Sequence, residues 1–213
     1  MPRLSATGAV LASVFLVSCL VAVAFTTADK VVPVSPVVKV TLASGGHGSA
    51  VYIGGGLFLT ANHVVSGDEA TIVSQAAKPC SAKATVVWTS TAYDVALISA
   101  ECEGLAAAPL RCDELHVGER IISYGSPMAL DFLQTRGRIS GKPRTVGPWK
   151  SAYPTDISIG PGMSGGPVMD ERGRLVGINV GAAMASFGMG VKSLMGISLI
   201  VPATEICRMM GRA

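Results

Sequence analysis

The sequence predicts an all-β protein built from two successive antiparallel halves. Turn-forming residues are abundant, with 25 Gly and 12 Pro against 5 Phe, 4 Tyr and 2 Trp, which favours many tight turns between short strands over long helices. The apolar fraction is 49% and the charged fraction only 15%, so the chain has the means to bury a large core and is unlike a disordered chain. Short segments rich in Val, Ile and Thr recur in two series, separated by a stretch with no period. A length of 213 residues fits one such unit plus an N-terminal extension.

The first series comprises Val37 to Leu42, Ser49 to Ile53, Leu57 to Thr60, Glu69 to Ser74, Ala82 to Trp88 and Val95 to Ala100, enough for one six-stranded barrel over residues 37–103. Gly104 to Gly118, with a triple Ala and Pro109, reads as a linker. The second series, over residues 119–201, runs through Glu119 to Tyr124, Leu133 to Ser140, Asp156 to Ile159, Pro167 to Asp170, Leu175 to Val180 and Gly196 to Val201. A C-terminal helix is expected over 202–213, opened by Pro202. Gly181 to Lys192, rich in small residues and poor in charge, reads as a loop beside a binding cleft.

Ahead of this unit, Arg3 precedes an apolar stretch from Ala9 to Phe25, the layout of an export signal over residues 1–25. Three readings compete. Ala22-Val23-Ala24 fits a small-x-small cleavage site, the stretch could be retained as a membrane anchor, and Leu16-Val17-Ser18-Cys19 resembles a lipid-attachment motif. The third is the weakest, because six apolar residues, Leu20 to Phe25, follow Cys19 where a lipoprotein turns polar. Residues 26–36, with two prolines, form a stiff tether. The expected location is therefore periplasmic or extracellular, with or without a membrane anchor.

A formal charge of +3, spread without basic runs, gives nucleic acid no phosphate-tracking surface. Beyond the leader stand Cys80, Cys102, Cys112 and Cys207, an even number suited to an oxidising compartment, with no C-x-x-C spacing of a zinc site. A hairpin register placing Trp88 opposite Asp94 would also set Cys80 opposite Cys102, leaving Cys112 for Cys207. Four buried thiols are the alternative. No metal or cofactor is expected.

Gly162-Met163-Ser164-Gly165-Gly166-Pro167 places a Ser in a Gly-rich turn, where missing side chains let a carbonyl approach the hydroxyl and backbone N–H groups. The same residues satisfy G-x-S-x-G, the nucleophile elbow of α/β-hydrolases, whose triad runs Ser, acid, His. All three histidines, His47, His63 and His116, precede Ser164, so that reading lacks its base. The order Asp, His, Ser fails as well, since Asp29 alone precedes His63 and sits in the tether. The order His, Asp, Ser is met by His63, Asp94 and Ser164. His47 and His116 read as surface histidines.

Three blocks carry a family resemblance across roughly residues 45 to 202: Gly48-Ser49-Ala50 through Leu59-Thr60-Ala61-Asn62-His63-Val64-Val65, Asp94-Val95-Ala96-Leu97-Ile98, and Thr155-Asp156 through the Ser164 turn to Val176-Gly177-Ile178-Asn179. The chain resembles the trypsin-like peptidases, and within them the HtrA-type and related viral or phage proteases. The resemblance implies two six-stranded barrels of the chymotrypsin-like fold and a serine endopeptidase acting on proteins or peptides. It implies that His63 takes the proton of Ser164, that Asp94 orients the imidazole, and that the N–H groups of Gly162 and Ser164 form the oxyanion hole.

By the same resemblance, Ser158, six before the nucleophile, would floor the S1 pocket. No carboxylate would then await Lys or Arg, and small or medium apolar P1 residues are expected. Asn179, Val180 and Gly181 would pair with substrate backbone. Met163 stands where trypsin-type zymogens carry an Asp, so activation by a freed N-terminus is not expected. The length past Val201 leaves no room for the PDZ domain common in HtrA-type proteins, which favours a monomer. The rival of a different class is a protease-shaped binding or scaffold protein without turnover.

Overall fold

The computed structural model describes residues 35–65, 67, 69–75, 79–186 and 192–212. The leader, and the tether up to residue 34, lie outside the described residues. Among the described residues no helix is long and apolar enough to cross a membrane.

The first half is a closed barrel of β1 (Val37–Leu42), β2 (His47–Gly54), β3 (Leu57–Thr60), β4 (Ala70–Ser74), β5 (Ser81–Ser90) and β6 (Val95–Ser99), in the order β1-β2-β3-β6-β5-β4. Alternation sorts its side chains into two cores. Val38, Val40, Ala50, Phe58, Ile72, Ala96 and Ile98 fill the barrel with the short helix α1 (Asn62–Val65) over one end. Their neighbours Val51, Ile53, Leu59, Val95 and Leu97 point outward into a second core shared with Ile178, Val180, Leu199 and Val201 of the other half. This side is buried because the two halves pack along it.

The second half is a seven-stranded sheet ordered β8-β7-β11-β12-β13-β10-β9. Its strands are β7 (Arg120–Gly125), β8 (Leu133–Arg138), β9 (Arg144–Val146), β10 (Trp149–Thr155), β11 (Pro167–Met169), β12 (Leu175–Ser186) and β13 (Lys192–Pro202). A single bridge between Ile139 and Thr155 joins the end of β8 to β10 and closes six of these strands into a barrel, with β9 outside the ring. Helix α2 (Ala203–Met209) follows, with Pro202 at its N-cap.

Three expectations change. No strand covers Asp156 to Ile159. The strand lies just before, as β10, and Asp156 instead turns its carboxylate to accept the Arg138 backbone N–H, a side-chain bond that ends the ladder. The β9–β10 hairpin around Gly147-Pro148 was not foreseen. Gly181 to Ser186 is not loop but the continuation of β12, paired through Ser186 opposite Lys192; residues 187–191 lie outside the described residues.

Both disulfides exist, Cys80–Cys102 and Cys112–Cys207, with Cα separations of 5.7 and 5.9 Å. The register that suggested the first is different, however. Trp88 lies opposite Leu97, not Asp94, because the hairpin turns over residues 91–94, with Ser90 opposite Val95, and the ladder shifts once more between Val86 and Trp88. The cysteines meet beyond the paired residues of the hairpin. The second disulfide ties the inter-half linker to the buried Cys207 of α2.

Candidate active site

His63 sits in the single turn of α1, with Val64 and Val65 buried beside it. Asp94 ends the β5–β6 turn at φ 54, a left-handed conformation that Asp tolerates better than most residues. The two residues are clasped twice: the His63 backbone N–H donates to Asp94 Oδ1 at 2.9 Å, and Nδ1 lies 2.6 Å from Oδ2. Because a carboxylate only accepts, Nδ1 carries the proton and Nε2 is left as the basic nitrogen.

Trp149, on β10, donates its indole N–H to the same Oδ2 at 3.1 Å. Asp94 is 8% exposed. Burial pushes its carboxyl up, but the hydrogen bonds from the His63 ring, the His63 backbone and Trp149 outweigh burial and hold it below the ordinary 3.8. The side chain is thus kept ionised where it can orient an imidazole.

Ser164 stands in the turn between β10 and β11, and the glycines around it answer to close packing. Gly162 and Gly165 have φ of 98 and 79, which side chains rarely adopt. A Cβ on Gly165 would lie 2.2 Å from Thr60 Oγ1 and 2.6 Å from Ala61 N. The Ser164 turn therefore rests directly on the residues that lead into His63. Within it, Met163 N donates to Gly160 O, Gly165 N to Asn179 O and Gly166 N to Met163 O. Among the described residues, the N–H groups of Gly162 and Ser164 donate no such backbone bond.

Ser49 joins the two halves at this point. Its N–H donates to Ser164 O at 2.8 Å, its hydroxyl donates to Gly162 O at 2.8 Å and accepts from Ser126 N at 3.0 Å, and its carbonyl accepts from Thr60 Oγ1 at 2.7 Å. The neighbouring Gly48 brings β2 against Val64, where a Cβ would meet Cγ1 at 2.6 Å and Ser164 O at 3.2 Å. His47 is not a free surface residue. Its Nε2 donates to Ser126 O at 2.9 Å, and a Cβ on Gly162 would lie 2.4 Å from that nitrogen. His116 is exposed, as expected.

A cavity of about 390 Å³ opens beside Ser164, lined by Ile159, Gly160, Pro161, Gly181, Ala182, Met184 and Leu194. Of the residues expected to face a substrate, Gly181 lies on its wall. Ser158 is exposed and not among the lining residues; the adjacent Ile159 takes that place. Asn179 is fully buried behind the turn, donating to Ser123 Oγ at 2.7 Å while its backbone brackets Gly165 and Gly166. Val180 is 2% exposed and belongs to the core between the halves. Neither side chain offers surface to a ligand, because this part of β12 is covered on both faces, Asn179 against Ser123 and Val180 against the core between the halves. Among the described residues no cluster of His, Cys, Asp and Glu is arranged to hold a metal ion.

The sequence profile of the trypsin-like peptidase domain matches residues 48–178, a span that contains His63, Asp94 and Ser164. The chain belongs to this family. Within it, the chain is 37% identical over 151 residues to the "Probable periplasmic serine endoprotease DegP-like" of Ectopseudomonas mendocina, covering 69% of this chain and 30% of that protein. The chain thus corresponds to less than a third of such a relative's length. Among solved peptidase structures, the HtrA-type protease AlgW with tripeptide gives a TM-score of 0.71 at 27% identity, covering 84% of this chain and 60% of that one. The serine endoprotease from Yersinia pestis gives 0.68 at 26%, covering 84% and 63%. The chymotrypsin-like two-barrel fold is accordingly this chain's fold.

Proposed function

We propose that this chain is a serine endopeptidase that cleaves proteins or peptides through an acyl-enzyme. The observation that carries the reading is the double clasp of Asp94 on His63, set on the same residues of the first half against which the Ser164 turn packs. In the reaction, His63 Nε2 accepts the proton of the Ser164 hydroxyl as its oxygen attacks the scissile carbonyl. The same nitrogen then protonates the leaving amine, and water repeats the sequence to release the acid. Asp94 holds the imidazole with Nδ1 protonated and stabilises the imidazolium that forms. The N–H groups of Gly162 and Ser164, unused in the backbone network, receive the oxyanion.

The apolar lining by Ile159, Ala182, Met184 and Leu194 supports a small or medium apolar P1 residue. The leader and the periplasmic naming of the relative support action on the outer side of a membrane. A fluorophosphonate probe tests the nucleophile. Wild type is expected to be labelled and Ser164→Ala to be blank; equal labelling of both overturns the assignment. A peptide panel tests the pocket, with turnover expected after Val, Ala or Leu and strict cleavage after Arg contradicting it.

A further inference from the structure

We infer that Trp149 is a positioning residue for Asp94, holding the carboxylate through the indole N–H from a hairpin of the opposite half. The inference rests on the triad reading above.

The hairpin is fastened to the Asp94 turn at several points. Lys150 N donates to Ala92 O at 2.8 Å, two residues before Asp94, and the Lys150 ammonium lies 5.8 Å from the centre of the Tyr93 ring. Trp149 then reaches Asp94 Oδ2 at 3.1 Å, the oxygen that also faces His63 Nδ1. On its other side the indole is pressed against β12, where a Cβ on Gly181 would lie 2.6 Å from Trp149 Cη2. That contact leaves the ring little freedom to swing away. A carboxylate oxygen shared by two donors on fixed elements has its direction set by both.

The other carboxylate oxygen and the backbone carbonyl of Asp94 are bonded from its own half. Oδ1 accepts the His63 backbone N–H, and the Asp94 carbonyl accepts Asn62 N at 3.1 Å. Trp149 is thus the donor to this carboxylate that comes from the half carrying Ser164. It sets the His–Asp pair in register with the nucleophile, and its opposite face backs a wall residue of the substrate cavity.

The test uses Trp149→Phe, which keeps a packed ring and removes the N–H. Loss of one hydrogen bond to a charged group corresponds to about a tenfold fall in kcat, with KM within about twofold. In the Asp94→Asn background, followed by the rate of fluorophosphonate inactivation, the same change is expected to have almost no further effect, since the bond acts through the carboxylate. A third readout is the low-field proton resonance of His63 Nδ1–H in Ser164→Ala protein, expected to shift or broaden in the Trp149→Phe variant while Tm changes little.

Unchanged kcat and resonance in Trp149→Phe overturn the inference. So does the same tenfold loss in both Asp94 backgrounds, which would make Trp149 only a support behind the Gly181 wall of the cavity. Should Trp149→Phe not fold, Trp149→Tyr takes its place with the same expected losses. Labelling of Ser164→Ala would instead overturn the triad, whatever Trp149 does.

Discussion

The two halves solve the same problem of closing a sheet with different completeness. In the first, every strand has a ladder on both sides, and β1 pairs with both β2 and β4. In the second, closure depends on the one bridge between Ile139 and Thr155, supported by Ser140 N donating to Pro154 O and Asp156 N to Arg138 O. The disulfides follow this division. Cys80–Cys102 spans 22 residues beside the complete barrel, whereas Cys112–Cys207 spans 95 and pins linker to helix beside the barely closed one. The half that lacks a full ladder carries the longer covalent loop.

The largest effect expected from breaking this comparison comes from the disulfides. Chain-entropy arguments give about 4.7 kcal/mol for the 95-residue loop and about 3.4 kcal/mol for the 22-residue loop. The double Ser variant at Cys112 and Cys207 is therefore expected to lose more stability in urea than the variant at Cys80 and Cys102. Equal losses would mean that the halves do not differ in need.

Next comes the contact between the halves. Gly165→Ala places a methyl against Thr60 Oγ1 and Ala61 N at a φ of 79, and a loss of about 3 kcal/mol is expected from strain and clash. Fluorophosphonate labelling of Ser164 should fall with it.

Within the second half, Asp170 caps the β11–β12 turn. Its carboxylate accepts Arg172 N and Arg174 N at 2.9 Å and Arg174 Nε at 2.8 Å. Burial raises its pKa, but the bonds from Arg174 and Arg172 hold it below 3.8. Asp170→Asn is expected to cost about 2 kcal/mol at neutral pH by loss of bonds to a charged acceptor.

The sign with pH follows for Asp94 and Asp170 alike. As pH falls below 3.8, the unfolded carboxyls take up protons first, so their contribution is complete above that value and lost as pH passes through the lower folded values. Acid unfolding of Asp170→Asn should be less steep in this range than that of wild type. The smallest expected effect is in amide exchange, with Ile139 and Ser140 opening more readily than Leu59 and Leu97.

Much of the first half was legible in the sequence because its strands are short, dense in branched residues and bounded by glycine. Val37–Leu42 and Leu57–Thr60 agree to the residue. The second half was harder, since β10 combines Trp149, Lys150 and Pro154 in a run without alternation, while Asp156 to Ile159 carries Ile at alternate positions but bends away to build the Ser164 turn. The Gly147-Pro148 pair between Val146 and Trp149 was an available turn signal.

For the site, chain order singled out His63, Asp94 and Ser164, and the structure brings the first two into a double hydrogen bond. Asn179 was read as pairing with substrate backbone, whereas its own N–H and carbonyl bond Gly166 O and Gly165 N, contacts that a single sequence does not show. Ser49 and Trp149 carry no motif chemistry of their own. Their roles arise from contacts across the seam, at separations of 113 residues for Ser49 to Gly162 and 55 for Trp149 to Asp94.

The placement of Ser49 makes the proposed catalytic centre a gauge of how the halves are docked. Its backbone and hydroxyl hold the peptide on both sides of Met163, so a shift of one barrel against the other would carry over to the gap between Ser164 and the His63 proposed as its base. A slip of about 1 Å is enough to cost about a hundredfold in rate, while each barrel's own ladders stay intact. Under the proposed activity, turnover should thus fall at milder denaturant than either core melts, and its loss would report on the assembly of the halves before any spectroscopic probe of folding does.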